Sequence, residues 1–315
     1  MEKAKKRMAL RVLLPVVGVI AVIGAIFGAS YAGVRLLSGS FDARFKARLQ
    51  AQRVWQNTQT QRIPQTALHN VMMNHLTQPR TEGKVPKLLL VGWDGALATA
   101  VGNKAGQPNS AIAALAAQGG LWLGQTGGAQ PGDQECRTAP GWCSLFTGVW
   151  ADVHGVYNNS DTMDADVPNI FSQLTQEGKQ VRFAFSWGQH LAVTYKNLPQ
   201  LPQVFVPQKD DAGTEAAMLQ AIQSGADAVL GTLEYTDHAG HASGYSADNP
   251  LYVKAVNRAD AAAGRLTAAV QTRAAQHNED WLVIYTTDHG GFALDHKDPT
   301  MMESTTFFAA NKVIF

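Results

Sequence analysis

Cysteine is nearly missing from this 315-residue chain: Cys136 and Cys143 are the only two. Without a second Cys or Cys/His pair they exclude a zinc finger. Seven positions apart, they pair in an oxidising compartment or stay free as small buried residues, and the sequence leaves both open. Charge is also sparse, at 16% of residues against 45% hydrophobic, which excludes disordered, collagen-like and coiled-coil classes. There is no internal repeat and no low-complexity tract. Residues 88–315 are short of cations, with 12 Lys/Arg against 22 Asp/Glu, a net of −10. A nucleic-acid surface needs clustered cations for its phosphates, so none is expected there. Acidic side chains in number are instead able to hold metal ions.

The cations lie in residues 1–87, where 14 Lys/Arg face 3 Asp/Glu, a net of +11. Lys3, Lys5, Lys6, Arg7 and Arg11 form a basic head. Leu13 to Ala32 follows as twenty residues without a charge, before Arg35. At about 1.5 Å rise per residue such a run spans the roughly 30 Å hydrocarbon core, so residues 1–37 are expected to hold a single transmembrane helix. A cleaved signal peptide has a shorter apolar core of about 7–15 residues; Gly28-Ala29-Ser30 would be its cleavage site and marks the alternative. The positive-inside rule leaves the N-terminus cytoplasmic and the rest across the membrane, periplasmic in a bacterium. Residues 38–86, rich in Gln, Arg and Asn, read as a juxtamembrane helix and linker, with cations against lipid head groups or simply solvated.

From Lys87 the pattern changes. Leu88-Leu89-Leu90-Val91 is a buried-strand signal ending in Gly92-Trp93-Asp94-Gly95. Ser110 caps a helix through Ala117, Pro168 opens one that Gly178 ends, and Tyr252 to Ala275 is helical. Val181–Phe185, Ala228–Tyr235 and Trp281–Thr286 read as strands. Alternating strands and helices predict one α/β domain over 87–315, a mainly parallel sheet covered on both faces.

Three predicted strand ends carry Asp and His. Asp94 follows the first; Asp237-His238-Ala239-Gly240-His241 follows the strand ending at Tyr235; Asp288-His289-Gly290-Gly291 follows the strand ending at Thr286, with His296 soon after. Ligands bind outside the carboxyl ends of strands in open α/β sheets, so these segments are expected on one rim. A lone Asp at a strand end is usually a cap or turn former, but three such segments suit zinc or a related divalent cation. A fourth segment, Thr138-Ala139-Pro140 through Thr147-Gly148, offers a hydroxyl at the start of an expected helix, whose free N–H groups attract anions. Metal coordination activates such a hydroxyl as a nucleophile.

In this order the motifs resemble the alkaline phosphatase superfamily, type I phosphodiesterase/nucleotide pyrophosphatase branch, across Lys87 to Phe315. Val91-Gly92-Trp93-Asp94-Gly95 is similar to the family's first metal-binding strand, and Thr138 with Pro140 to its nucleophile segment. His154-Gly155-Val156-Tyr157-Asn158-Asn159 resembles the element whose asparagine binds a phosphoryl oxygen, here Asn159. The resemblance implies an alkaline-phosphatase-like three-layer α/β/α sandwich and two zinc ions, other divalent cations being possible. Asp237, His241 and His296 would hold one ion; Asp94, Asp288, His289 and the Thr138 oxygen the other. After Val313-Ile314-Phe315 the family's members usually continue.

The activity implied is hydrolysis of a phosphate ester, a diester first, through a phosphothreonine on Thr138, with Asn159 and the Ala139 N–H stabilising equatorial oxygens. The substrate is a small phosphate ester or a lipid head group. Two alternatives stand beside it: a phosphoethanolamine or lipid head-group transferase of the same fold, and a membrane-tethered binding protein without catalysis. A sulfatase would need Cys-x-Pro-x-Arg, which Cys136 does not begin. Trp93, Trp142, Trp187 and Tyr245 either stack on a substrate or pack the core.

Overall fold

The computed structural model describes residues 62–78, 83–199 and 201–315, which belong to the compact unit Thr60–Phe315. The expected membrane span, its basic head and most of the juxtamembrane segment lie outside the described residues. Among the described residues no helix is long and apolar enough to cross a membrane.

Eight strands form one mixed sheet: β1 (Ile63–Pro64), β2 (Val85–Trp93), β3 (Gly120–Gln125), β4 (Val181–Phe185), β5 (Phe205–Pro207), β6 (Ala228–Leu233), β7 (Glu279–Thr286) and β8 (Thr305–Ala310). Their order is β1-β3-β8-β7-β2-β6-β4-β5. Pairing is parallel except on both sides of β8, which runs antiparallel to β7 and β3. The longer helices are α1 (Ala67–Thr77), α2 (Ala98–Ala105), α3 (Ala111–Ala116), α4 (Thr138–Thr147), α5 (Ile170–Gln176), α6 (Asp211–Ser224), α7 (Tyr235–Ser243) and α8 (Pro250–Gln276).

Side chains alternate across the sheet and build two cores. Leu89, Val91, Trp93, Val229, Val283 and Tyr285 face α2, α3, α6 and α8. Leu88, Leu90, Leu230, Leu282, Ile284 and Phe308 face α1, α4 and α5. The result is three layers, helices–sheet–helices. Local chemistry sets the helix starts: Ser110 accepts from the Ala113 N–H, and Asn169 with Ser172 forms a capping box one residue after Pro168.

The domain begins earlier than the linker reading placed it. Ile63–Pro64 pairs with β3, and α1 buries Leu68, Met72 and Leu76, four apart, against Leu88 and Leu90. Each such side chain contributes roughly 1.5–3 kcal/mol when taken from water, enough to dock a segment whose composition is otherwise polar. Arg62 adds hydrogen bonds of 3.1 Å to both Ser304 Oγ and Thr305 Oγ1. The strand expected to run to Tyr235 stops at Leu233, because Tyr235 already begins α7.

Candidate metal centre

Three adjacent strand ends deliver the carboxylates. β2 lies between β7 and β6, with Gly92 opposite Thr286 and Trp93 opposite Leu233. Asp94 follows β2, and its N–H donates to Leu233 O at 2.9 Å. Asp288 follows β7, while β6 passes through Glu234 into α7, which carries Asp237 and His241 one turn apart. The register therefore gathers residues that the sequence separates by nearly two hundred positions. Gly95 makes the approach possible. Its backbone is left-handed at φ +62°, and a Cβ there would lie 2.7 Å from Asp237 Oδ1.

The histidines share one arrangement. Nδ1 of His241 lies 2.8 Å from Leu294 O, Nδ1 of His289 2.6 Å from Gly290 O, and Nδ1 of His296 3.0 Å from Cys136 O. A carbonyl only accepts, so the proton of each neutral ring sits on Nδ1 and a bare Nε2 faces inward. Nε2 of His296 is 3.1 Å from Nε2 of His241 and 3.4 Å from Asp237 Oδ1; Nε2 of His241 is 3.4 Å from Asp237 Oδ2. Nε2 of His289 lies 3.5 Å from Asp94 Oδ1, 3.4 Å from Asp288 Oδ2 and 3.5 Å from Thr138 Oγ1.

This donor set fits divalent cations. Two imidazole lone pairs 3.1 Å apart repel unless a proton or a metal ion lies between them. Burial first, then neighbouring positive imidazoles, lowers the His289 pKa well below the usual histidine range, and burial likewise lowers that of His296. Asp94 Oδ1 and Asp288 Oδ2 are buried without a hydrogen-bond partner. Burial drives the Asp94 and Asp288 carboxyls well above the usual range, with Asp288 adding at Asp94 and Asp237 adding at Asp288. Cations would relieve each of these strains. Two groupings are close enough for an ion: Asp237, His241 and His296, and Asp94, Asp237 and His289. Asp237 belongs to both, and Asp288 and Thr138 border the second through His289. His241 stays 41% exposed, which leaves the centre open on that side.

Thr138 is the first residue of α4 and is 3% exposed. Pro140 sits in the first turn, where its missing N–H costs nothing. The Ala139 N–H was expected to face an anion, but it donates to Asn159 Oδ1 at 2.9 Å. That bond fixes the orientation of the Asn159 amide, with Oδ1 on the backbone of α4.

Sequence reasoning missed two aromatic donors. Trp142 Nε1 donates to Asp94 Oδ2 at 3.0 Å, and Tyr245 O–H donates to Asp237 Oδ1. Both rings are fully buried, as is Trp93, so none of the three is a stacking platform. Their signal was position: Trp142 lies on the helix that Thr138 opens, and Tyr245 is four residues beyond His241. Trp187 is half-buried and lines a neighbouring cleft with His238, which is exposed and outside both metal groupings. His154 is buried and its Nε2 lies 3.0 Å from Ser144 Oγ, a structural contact behind α4. Cys136 and Cys143 are free and buried; burial pushes the Cys143 thiol up to about 12.

No protein-family model and no curated protein matches the chain. Among solved structures it is similar to murine ectonucleotide pyrophosphatase/phosphodiesterase 5, at 20% identity and TM-score 0.49 over 65% of this chain and 57% of that one. It is similar also to phosphonoacetate hydrolase from Sinorhizobium meliloti, at 18% identity and TM-score 0.45 over 66% of this chain and 56% of that one. A 2-O GAG sulfatase matches at 13% identity and TM-score 0.48 over 72% of this chain and 64% of that one. These proteins are alkaline phosphatase superfamily members, the group the motifs resemble. The chain spans little more than half the length of the first two, and every TM-score is below 0.5, so the functional reading rests on the site itself.

Proposed function

We propose that this chain is a membrane-anchored, two-metal hydrolase of phosphate esters with an alkaline-phosphatase-like domain, acting on phosphodiesters through a phosphothreonine on Thr138. The observation that carries it is the convergence of three bare imidazole nitrogens and two unpartnered aspartate oxygens beside the Thr138 hydroxyl. Zinc suits this mixture of imidazole and carboxylate better than magnesium or calcium, which prefer all-oxygen sites. Asp237, His241 and His296 would hold one ion, and Asp94, Asp288, His289 and Thr138 the other. Bound there, the ions would withdraw charge from phosphoryl oxygens and lower the pKa of hydroxyl and water.

The chain's own residues do the rest. Thr138 Oγ attacks phosphorus: the Oγ–P bond forms, the bond to one alcohol breaks, and the threonine proton ends on that alcohol. Water then cleaves the Oγ–P bond, returning the hydroxyl and releasing the phosphorylated product. Asn159, held by Ala139, offers Nδ2 to an equatorial oxygen. Arg137 beside Thr138 is already paired with Glu135 at 2.7 Å. That pairing draws positive charge away from the phosphoryl group, which favours a diester, with one negative charge, over a monoester. Leu13 to Ala32 would anchor the protein, with the catalytic unit outside the cytoplasm.

The test compares bis-p-nitrophenyl phosphate with p-nitrophenyl phosphate, using detergent-solubilised protein with zinc and after chelation. Turnover of the diester that chelation abolishes and zinc restores is expected. Inertness toward both esters by protein shown to contain zinc would defeat the hydrolase reading.

A further inference from the structure

Beside the metal centre a cleft of about 700 Å³ follows the carboxyl ends of β6, β4 and β5. That size suits a small organic ligand, and the place is where open α/β sheets bind them. Glu234 and Asp211 form its buried side, Trp187 and Tyr235 its half-buried walls, and Lys254 and Arg258 its exposed edge. The two acids differ. Asp211 Oδ1 accepts from Ser186 Oγ at 3.3 Å and from the Glu234 N–H at 2.8 Å. Glu234 is 2% exposed, yet its Oε1 has no hydrogen-bond partner. A buried carboxylate oxygen without a donor is costly, and either a proton or a cationic donor from a ligand relieves it. A metal ion is a poor occupant here, because Glu234, Asp211 and His238 do not converge as the two groupings of the centre do.

Resting on the hydrolase reading, we propose that this cleft receives one organic group of the phosphodiester and selects a group bearing a primary amine. The ammonium donates to Glu234, and an acidic substituent farther out meets Lys254 and Arg258, so zwitterionic aminoalkyl esters are the substrate class. Trp187 adds an aromatic face to the cation's surroundings. The Tyr235 face is already taken by the Arg258 guanidinium, 5.4 Å from the ring centre. Glu234 is the N-cap residue of the helix that carries Asp237, so the cleft and the metal centre share the end of β6.

The experiment compares 2-aminoethyl p-nitrophenyl phosphate with its propyl counterpart on the zinc-loaded full chain. A preference for the amine of about tenfold or more in kcat/KM is expected, the size of one charge-assisted hydrogen bond, expressed mainly in KM. Glu234→Gln is expected to erase the preference while leaving propyl-ester turnover within about twofold; Glu234→Asp is expected to keep part of it. Equal rates on the wild-type protein, or a preference that survives Glu234→Gln, would overturn the inference. If neither ester turns over although zinc is bound, the hydrolase reading fails by itself. Calorimetry with ethanolamine then decides the cleft: binding lost in Glu234→Gln upholds it, and no binding by the wild-type protein refutes it.

Discussion

Thr138 is a weak nucleophile in isolation, and its neighbours convert position into chemistry. Replacing it by alanine removes one oxygen from a site whose other ligands remain, so Thr138→Ala is expected to lose turnover while still binding zinc. Residual activity near the wild-type level would remove Thr138 from the mechanism. Tyr245 acts through Asp237. Its hydroxyl holds Oδ1, its ring lies against His241 and His296, and its N–H donates to Ala293 O at 2.8 Å, within the segment that carries His296. Tyr245→Phe keeps the ring and deletes the hydroxyl. It is expected to weaken zinc about 10–100-fold in competition with a chelating dye, with a nearly unchanged melting temperature for the metal-free protein. Unchanged zinc affinity would reduce Tyr245 to core packing. Neither the Tyr245 bond nor the one from Trp142 to Asp94 was legible beforehand, because an aromatic that donates to a carboxylate has the same hydropathy pattern as one that fills a core.

Strands and helices were legible where one physical rule dominated. Leu88 to Val91 is apolar because β2 is buried on both faces, and Asp94 follows because polar chemistry belongs at the strand's open end. Val181–Phe185 matched its apolar run, and the long helix from Pro250 to Gln276 showed its amphipathic spacing. Legibility stopped where pairing partners are remote. Nothing near Thr305–Ala310 in sequence says that it inserts antiparallel between β7 and β3, and the polar composition around α1 hid a face of Leu68, Met72 and Leu76. The same limit hid the seat of Trp142. A Cβ at Gly92 on β2 would lie 2.2 Å from the Trp142 ring, which cannot retreat without withdrawing Nε1 from Asp94. Gly92→Ala is therefore expected to destabilise the fold by about 1–3 kcal/mol in denaturant titration and to weaken zinc as well. Wild-type stability together with wild-type zinc affinity would show that the ring moves freely.

At the scale of the whole domain, the acidic net charge says little about folding stability, whereas two buried histidines outside the metal centre contribute to its response to acid. Burial lowers His154 to about 4 and His190 to about 3, against an ordinary value of 6.5. The folded protein therefore keeps both rings neutral at a pH where the unfolded chain protonates them. Protons bound preferentially by the unfolded chain favour unfolding, so this part of the stability is fully present above about pH 6.5 and is lost as pH falls to about 4 for His154 and about 3 for His190. The two rings differ in what replaces them. His154 bonds Ser144 and accepts from the Val156 N–H, so its removal breaks a network. His190 sits among Phe183, Phe185, Trp187 and Tyr195 with neither ring nitrogen partnered. Phenylalanine there forfeits no hydrogen bond and cannot take up a proton. His190→Phe is thus expected to match or exceed the wild-type melting temperature at pH 8, and to lose less of it between pH 6.5 and pH 4.5. Comparing both proteins in the same metal state cancels the acid lability of the zinc ligands. An acid dependence identical to wild type would show that His190 meets water in solution and carries none of the linkage.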